Sequence, residues 1–139
     1  DFLGTIENFY NENPHLKDKV IFTGAIYERA KLFEWYAKSK IFCLTSHAES
    51  FGFVFIEAMA YGNVVVTTPV SSAQEITENE RTGFIVSSLQ ELNDTLETLQ
   101  CDVQNLEHKS GVSIQRVSNA YDWKHLLETL NDFIERKQS

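Results

Sequence analysis

A chain of 139 residues that is 42% hydrophobic and 12% aromatic has enough apolar material for one globular domain with a real core, which excludes wholesale disorder. Its formal net charge of -8, with a sequence pI near 4.9, supplies no Lys/Arg cluster to neutralise phosphates, so nucleic acid and anionic membrane surfaces are not its expected partners. Cys43 and Cys101 are far apart without metal-ligand spacing, which indicates neither a zinc site nor a disulfide scaffold and fits a reducing compartment.

No segment approaches the about 18 consecutive apolar residues of a membrane span, and no signal peptide opens the chain. The first residues, DFLGTIENFY, read as a helix entered partway through, as in a piece of a longer protein. Residues 1–139 are taken as a single domain. Short apolar runs then alternate with helical patterns: VIFT (20–23), IFCLT (41–45), VVVTT (64–68) and FIV (84–86) read as strands too continuous to be half exposed. ERAKLFEWYAKS and FVFIEAMAY read as the intervening helices, with Leu32, Trp35 and Tyr36 near helical spacing in the first and Gly62 stopping the second. Cys43, inside IFCLT, is expected to be core filler rather than a nucleophile.

After Gly83, the leucines at 89, 92, 96 and 99 predict an amphipathic helix packed on the sheet through all four. The rest is helical in two or three pieces, with breaks expected at Gly111 and at Tyr121-Asp122-Trp123. Strand, helix, strand, helix implies right-handed crossovers, hence an α/β fold: a Rossmann-like parallel β-sheet flanked by helices on both faces.

In such sheets the ligand crevice lies at the carboxyl ends of the strands. Those ends carry Gly24-Ala25, Ser46-His47-Ala48-Glu49-Ser50 and Pro69-Val70-Ser71-Ser72, which should sit side by side on one rim. The loop through Glu49 and Gly52 feeds the second helix, so its first N–H groups, near Gly52, Phe53 and Val54, form a candidate anion site. Glu57 stands within GFVFIEAMA, where a carboxylate needs a partner. It either meets a ligand, or is held by a Lys or Arg or by a capping bond. A glycosidase acid/base pair of Glu49 and Glu57 is disfavoured: in one helix they would be ~12 Å apart along the axis and ~80° around it, against about 5 to 10 Å for such pairs. His47 is a loop histidine expected to be solvated, and His15, His108 and His125 read as surface residues.

The run LTSHAESFGFVFIEAMAYGNVVVTT, followed by SSAQEI and ENERTGFIV, resembles the carboxy-terminal domain of family 4 retaining glycosyltransferases; VIFTG and the late AYDW match as well. The resemblance implies a partial carboxy-terminal domain of GT-B architecture, in which two Rossmann-like domains face each other. It implies the donor-binding portion of an enzyme that moves a sugar, with retention, from a UDP- or GDP-linked nucleotide-sugar to a glycan or lipid-linked acceptor. Glu49 would stand at the transferred sugar as the catalytic carboxylate, and Glu57 would hydrogen-bond the ribose. Ser46 and the backbone at Gly52, Phe53 and Val54 would meet sugar and phosphates, while the loop after Gly24 would line the base. No cofactor beyond the donor and no structural metal is implied. The protein would be cytoplasmic, with the longer chain peripheral on the inner face of the membrane.

Three departures stand out: Ser50 for a common Gly, Val64 for a common Pro, and Ser71-Ser72 for a common Gly-Gly, where a Cβ restricts positive φ. The family's Arg and Lys for the pyrophosphate, and its amino-terminal acceptor domain, are not in this sequence, so the fragment is expected to be inactive alone. The alternative reading is a non-catalytic Rossmann-like nucleotide-binding module. A dehydrogenase is disfavoured because no GxGxxG follows a strand.

Overall fold

The computed structural model describes residues 2–50 and 52–122. The chain divides into two compact units, Asp1–Leu32 and Phe33–Ser139.

In the first unit, α1 (Phe2–Glu12) is followed by a 3-10 turn at Pro14–Leu16. Phe9, Tyr10 and Phe22 form an edge-to-face aromatic group with ring centroids 5.4 to 5.7 Å apart, and the Tyr10 hydroxyl donates to the Val20 carbonyl at 2.6 Å. The apolar run at 20–23 is not a strand, contrary to expectation: residues 20–28 have no regular structure and Ile21 is 67% exposed. A β-strand exists through its ladder, and no described strand pairs with this run. The first residues of α2 (Arg29–Lys38) close this unit.

The second unit is built on three strands, β1 (Ile41–Leu44), β2 (Val64–Thr67) and β3 (Gly83–Ile85). They form a parallel sheet in the order β1-β2-β3, with Phe42 opposite Val65 and Val66 opposite Phe84. β2 is central and wholly buried, and its alternating side chains divide the core in two. Val65 faces a cluster of Phe55, Met59, Ala73 and Ile76, from α3 (Phe53–Ala60) and α4 (Ala73–Ile76), joined by Phe42 and Leu44. Val64 and Val66 face Val86 and Leu99, with Leu92, Leu96 and Leu106, from α5 (Leu89–Cys101) and α6 (Val103–Ala120). Helices thus cover both faces of the parallel sheet, as the alternating pattern predicts.

Local chemistry sets the helix ends. Gly52 enters α3 in the left-handed region (φ 73°). At the other end Gly62 (φ 78°) lets its N–H donate to Met59 and that of Asn63 to Ala58, the two bonds of a Schellman stop. The Asn63 side chain then donates to the Tyr36 carbonyl at 2.8 Å and the Ser39 carbonyl at 3.2 Å, satisfying the last turn of α2. Ser88 caps α5 by accepting from the Glu91 N–H, and the Glu91 carboxylate accepts from the Ser87 N–H.

Three further expectations need correction. Leu89 is 73% exposed, so only three of the four leucines pack inward; the first sits at the opening residue of α5, before the helix has covered the sheet. Cys43 is exposed rather than core: on β1 it alternates with Phe42 and Leu44, which pack on the first cluster, and among the described residues it belongs to neither cluster. α6 runs through Gly111 without a break, because Leu106, Ser113 and Val117 pack or bond on either side and outweigh the ~1 kcal/mol cost of a helical glycine. The expected end at Tyr121 is present. Trp123 and His125 lie outside the described residues, while His15 and His108 are exposed as expected.

Candidate functional site

The carboxyl ends of β1 and β2 carry the two loops that meet here. β1 ends at Leu44, and the chain turns through Ser46 to Ser50 without regular structure before α3 begins. The Ser46 hydroxyl donates to Glu49 Oε1 at 2.9 Å, which turns this carboxylate back over its own loop. From the next loop, Thr68 Oγ1 donates to the Ser46 carbonyl and Ser71 Oγ donates to the Glu49 carbonyl at 2.9 Å. The two strand-end loops are thereby joined side by side, as the rim geometry predicts.

Glu49 stands outside α3, so the single-helix spacing between it and Glu57 does not apply. Leu44, Glu49, Ser50, Gly52, Phe53 and Val54 line an open cavity of about 400 Å³. Gly52, at the N-cap of α3, has no side chain to cap the helix, and Gly52, Phe53 and Val54 at the helix start line this cavity, near the positive end of the dipole. Gly52 is required twice: by its left-handed φ, and because a Cβ there would lie 2.4 Å from Phe55 Cδ2. Phe53 is 71% exposed and extends the wall.

Glu57 is one helical turn beyond Phe53, on the same side of α3. It is half-buried and is not among the residues lining the cavity. The Tyr36 hydroxyl, on a buried ring, donates to Glu57 Oε2 at 3.5 Å. A tyrosine, rather than the Lys, Arg or cap considered from the sequence, is therefore among the groups that meet this carboxylate. Sequence periodicity put Tyr36 near helical spacing with Leu32 and Trp35 but carried no signal of the pairing. Gly24 belongs to the first unit, where it is exposed with φ 63°. Ser71 and Ser72 both keep negative φ, Ser72 at -93°, so the serines fit their loop without strain. His47 is exposed. Among the described residues no three His, Cys, Asp or Glu side chains converge as metal ligands, and no helix is long and apolar enough to cross a membrane.

Residues 4–102 match the family described as Glycosyl transferases group 1. The chain belongs to that family. A probable sucrose-phosphate synthase of Thermosipho melanesiensis is 35% identical over 111 residues, covering 79% of this glycosyltransferase-family chain and 26% of the relative. A capsular polysaccharide biosynthesis glycosyltransferase of Staphylococcus aureus is 30% identical over 110 residues, 75% of this chain and 29% of that protein. Among solved structures, the carboxy-terminal domain of a group 1 family glycosyl transferase from Francisella tularensis superposes with a TM-score of 0.76 at 26% identity, covering 88% of this chain and 64% of that one. The chain spans about a quarter of the length of the curated relatives it matches.

Proposed function

We propose that the second unit is the donor-binding half site of a retaining glycosyltransferase of GT-B architecture, which moves a sugar from a UDP- or GDP-sugar to a glycan or lipid-linked acceptor. The observation that carries this reading is the cavity that Glu49 shares with the start of α3. A diphosphate would sit against the first N–H groups of the helix, with the sugar towards Glu49. Glu57, farther along the helix, would accept hydrogen bonds from the ribose hydroxyls. Membership of the group 1 family, and relatives named as glycosyltransferases, support the assignment.

The chemistry follows from charge. As the bond from sugar to diphosphate stretches, positive charge grows at the anomeric carbon and negative charge on the departing phosphate. A carboxylate beside the sugar opposes the first, and the helix dipole opposes the second. The acceptor hydroxyl enters on the face that the diphosphate leaves, so configuration is retained, and the departing phosphate takes the hydroxyl proton. The acceptor and the basic groups that clamp the pyrophosphate belong to other parts of the enzyme. None of the described residues lining the cavity is basic, and a helix dipole contributes only about 0.3 to 1 kcal/mol. Binding by this chain alone is therefore weak, and transfer is absent.

Glu57 tests the reading. Losing charge-assisted bonds to the ribose should weaken UDP or GDP binding to Glu57→Ala by about tenfold or more, with Glu57→Gln between it and the wild type because one acceptor remains. Equilibrium titration of all three proteins checks this, and equal affinities would overturn it.

A further inference from the structure

Glu49 sits on a loop, and a loop carboxylate is useful to chemistry only if something outside the loop fixes it. Three hydroxyls act on this loop. Ser46 sets the direction of the carboxylate through the bond to Oε1. The other two act on the backbone: Thr68 holds the carbonyl of Ser46, where the loop begins, and Ser71 holds the carbonyl of Glu49 itself.

Both outside donors come from the end of β2, the central and wholly buried strand. Thr68 follows that strand directly, and the turn after it is drawn tight by Val70 N–H to the Thr68 carbonyl at 2.7 Å and Ala73 N–H to the Val70 carbonyl at 3.0 Å. The carboxylate loop is thus fastened to the most constrained strand of the sheet. We propose that Thr68 and Ser71 are positioning residues for Glu49, acting through hydroxyl-to-carbonyl bonds that fasten the 46–50 loop to the 68–72 loop.

The inference rests on the donor-site reading, since it concerns how accurately Glu49 meets a sugar. The two bonds differ in environment. That of Thr68 is partly buried, whereas that of Ser71 is exposed and competes with water, so Thr68 carries the larger share. Ser71 makes its bond with no backbone strain.

The test compares Thr68→Val and Ser71→Ala with the hydroxyl-preserving Thr68→Ser and Ser71→Thr, in the 139-residue chain. Two quantities are read: amide hydrogen exchange across 46–50, and the affinity for UDP-glucose or GDP-mannose, whichever binds, relative to its free nucleotide. Thr68→Val should speed exchange and lower that preference about fivefold, Ser71→Ala about twofold, and both hydroxyl-preserving variants should restore wild-type behaviour. Affinity for the free nucleotide should not change, because only the sugar end depends on Glu49; a purely structural role would weaken both ligands together. A normal wild-type response with an unchanged preference or unchanged exchange in Thr68→Val overturns the assignment alone. No wild-type response at 46–57 to either ligand overturns the donor-site reading, and the assignment with it.

Discussion

Replacing Gly52 with alanine separates the role of the site's entry glycine from the general cost of losing a glycine. At φ 73° any L-residue is strained by about 1 kcal/mol. The added Cβ would also stand 2.4 and 2.5 Å from two carbons of the Phe55 ring. That ring is wholly buried and packs edge-to-face on Phe42 with centroids 6.1 Å apart, so it cannot swing away without opening the core. Overpacking of this kind costs about 1 to 3 kcal/mol, which brings the loss to roughly 2 to 4 kcal/mol. Gly62 is the internal control, since it lies in the same unit at φ 78° and carries the same backbone cost. Its Cβ would meet the Ser110 hydroxyl at 2.7 Å and the tip of Ile114 at 3.2 Å. The hydroxyl can rotate aside, so Gly62→Ala should cost about 1 to 2 kcal/mol. In urea, the midpoint of Gly52→Ala should fall below that of Gly62→Ala by about 1 M. Equal midpoints, or a lower one for Gly62→Ala, would refute the claim that Phe55 and the start of α3 are packed as one unit.

Glu78, Asn79 and Glu80 all take left-handed φ, at 49°, 53° and 70°, which is rare for three successive residues with side chains. α6 holds the turn through Lys109, which donates to the Glu80 carbonyl, and Arg116, which bonds the Glu78 carboxylate at 3.2 Å and the Glu75 carbonyl at 2.6 Å. Glu80→Gly keeps the carbonyl and relieves one strained residue, for a net gain of about 0.5 kcal/mol after the entropy of glycine, or about 2 °C in Tm; a lower Tm by calorimetry would contradict this. Cys43 is exposed, yet partial desolvation pushes its thiol pKa up. Its alkylation by iodoacetamide should therefore be slower at pH 8 than that of a free-thiol peptide, with the pH midpoint moved upward. Because the fold favours the neutral thiol, the associated stability is complete below the ordinary thiol pKa and is lost as pH rises towards the folded value. Cys43→Ser should remove that part of the alkaline decline.

The elements around the site were legible because their signals are local. IFCLT and VVVTT are continuous apolar runs, and Gly62 ends α3 through a bond pattern that needs only neighbours in sequence. Gly52 and Glu49 share one loop, so their common cavity could be anticipated. VIFT misled because an apolar run is necessary for a buried strand but not sufficient: its state depends on a pairing partner, and Ile21 without one is exposed. Leu89 and Cys43 misled for a related reason, since periodicity gives a side chain's direction but not whether anything covers it. The bonds from Tyr36 to Glu57, Thr68 to Ser46 and Ser71 to Glu49 join residues 21 or 22 positions apart. Such contacts depend on strand register and helix rotation, which no local pattern encodes.

The central claim is that a nucleotide-sugar occupies the cavity between Glu49 and the start of α3. It is tested most directly by titrating the isotopically labelled chain with UDP, GDP and ADP, and with UDP-glucose and GDP-mannose, while following its backbone amide signals. The account predicts weak, saturable shifts concentrated between residues 46 and 57, with the sugar nucleotides extending the response at Glu49 beyond that of the free nucleotides. Saturable binding that moves only signals outside that segment would contradict it.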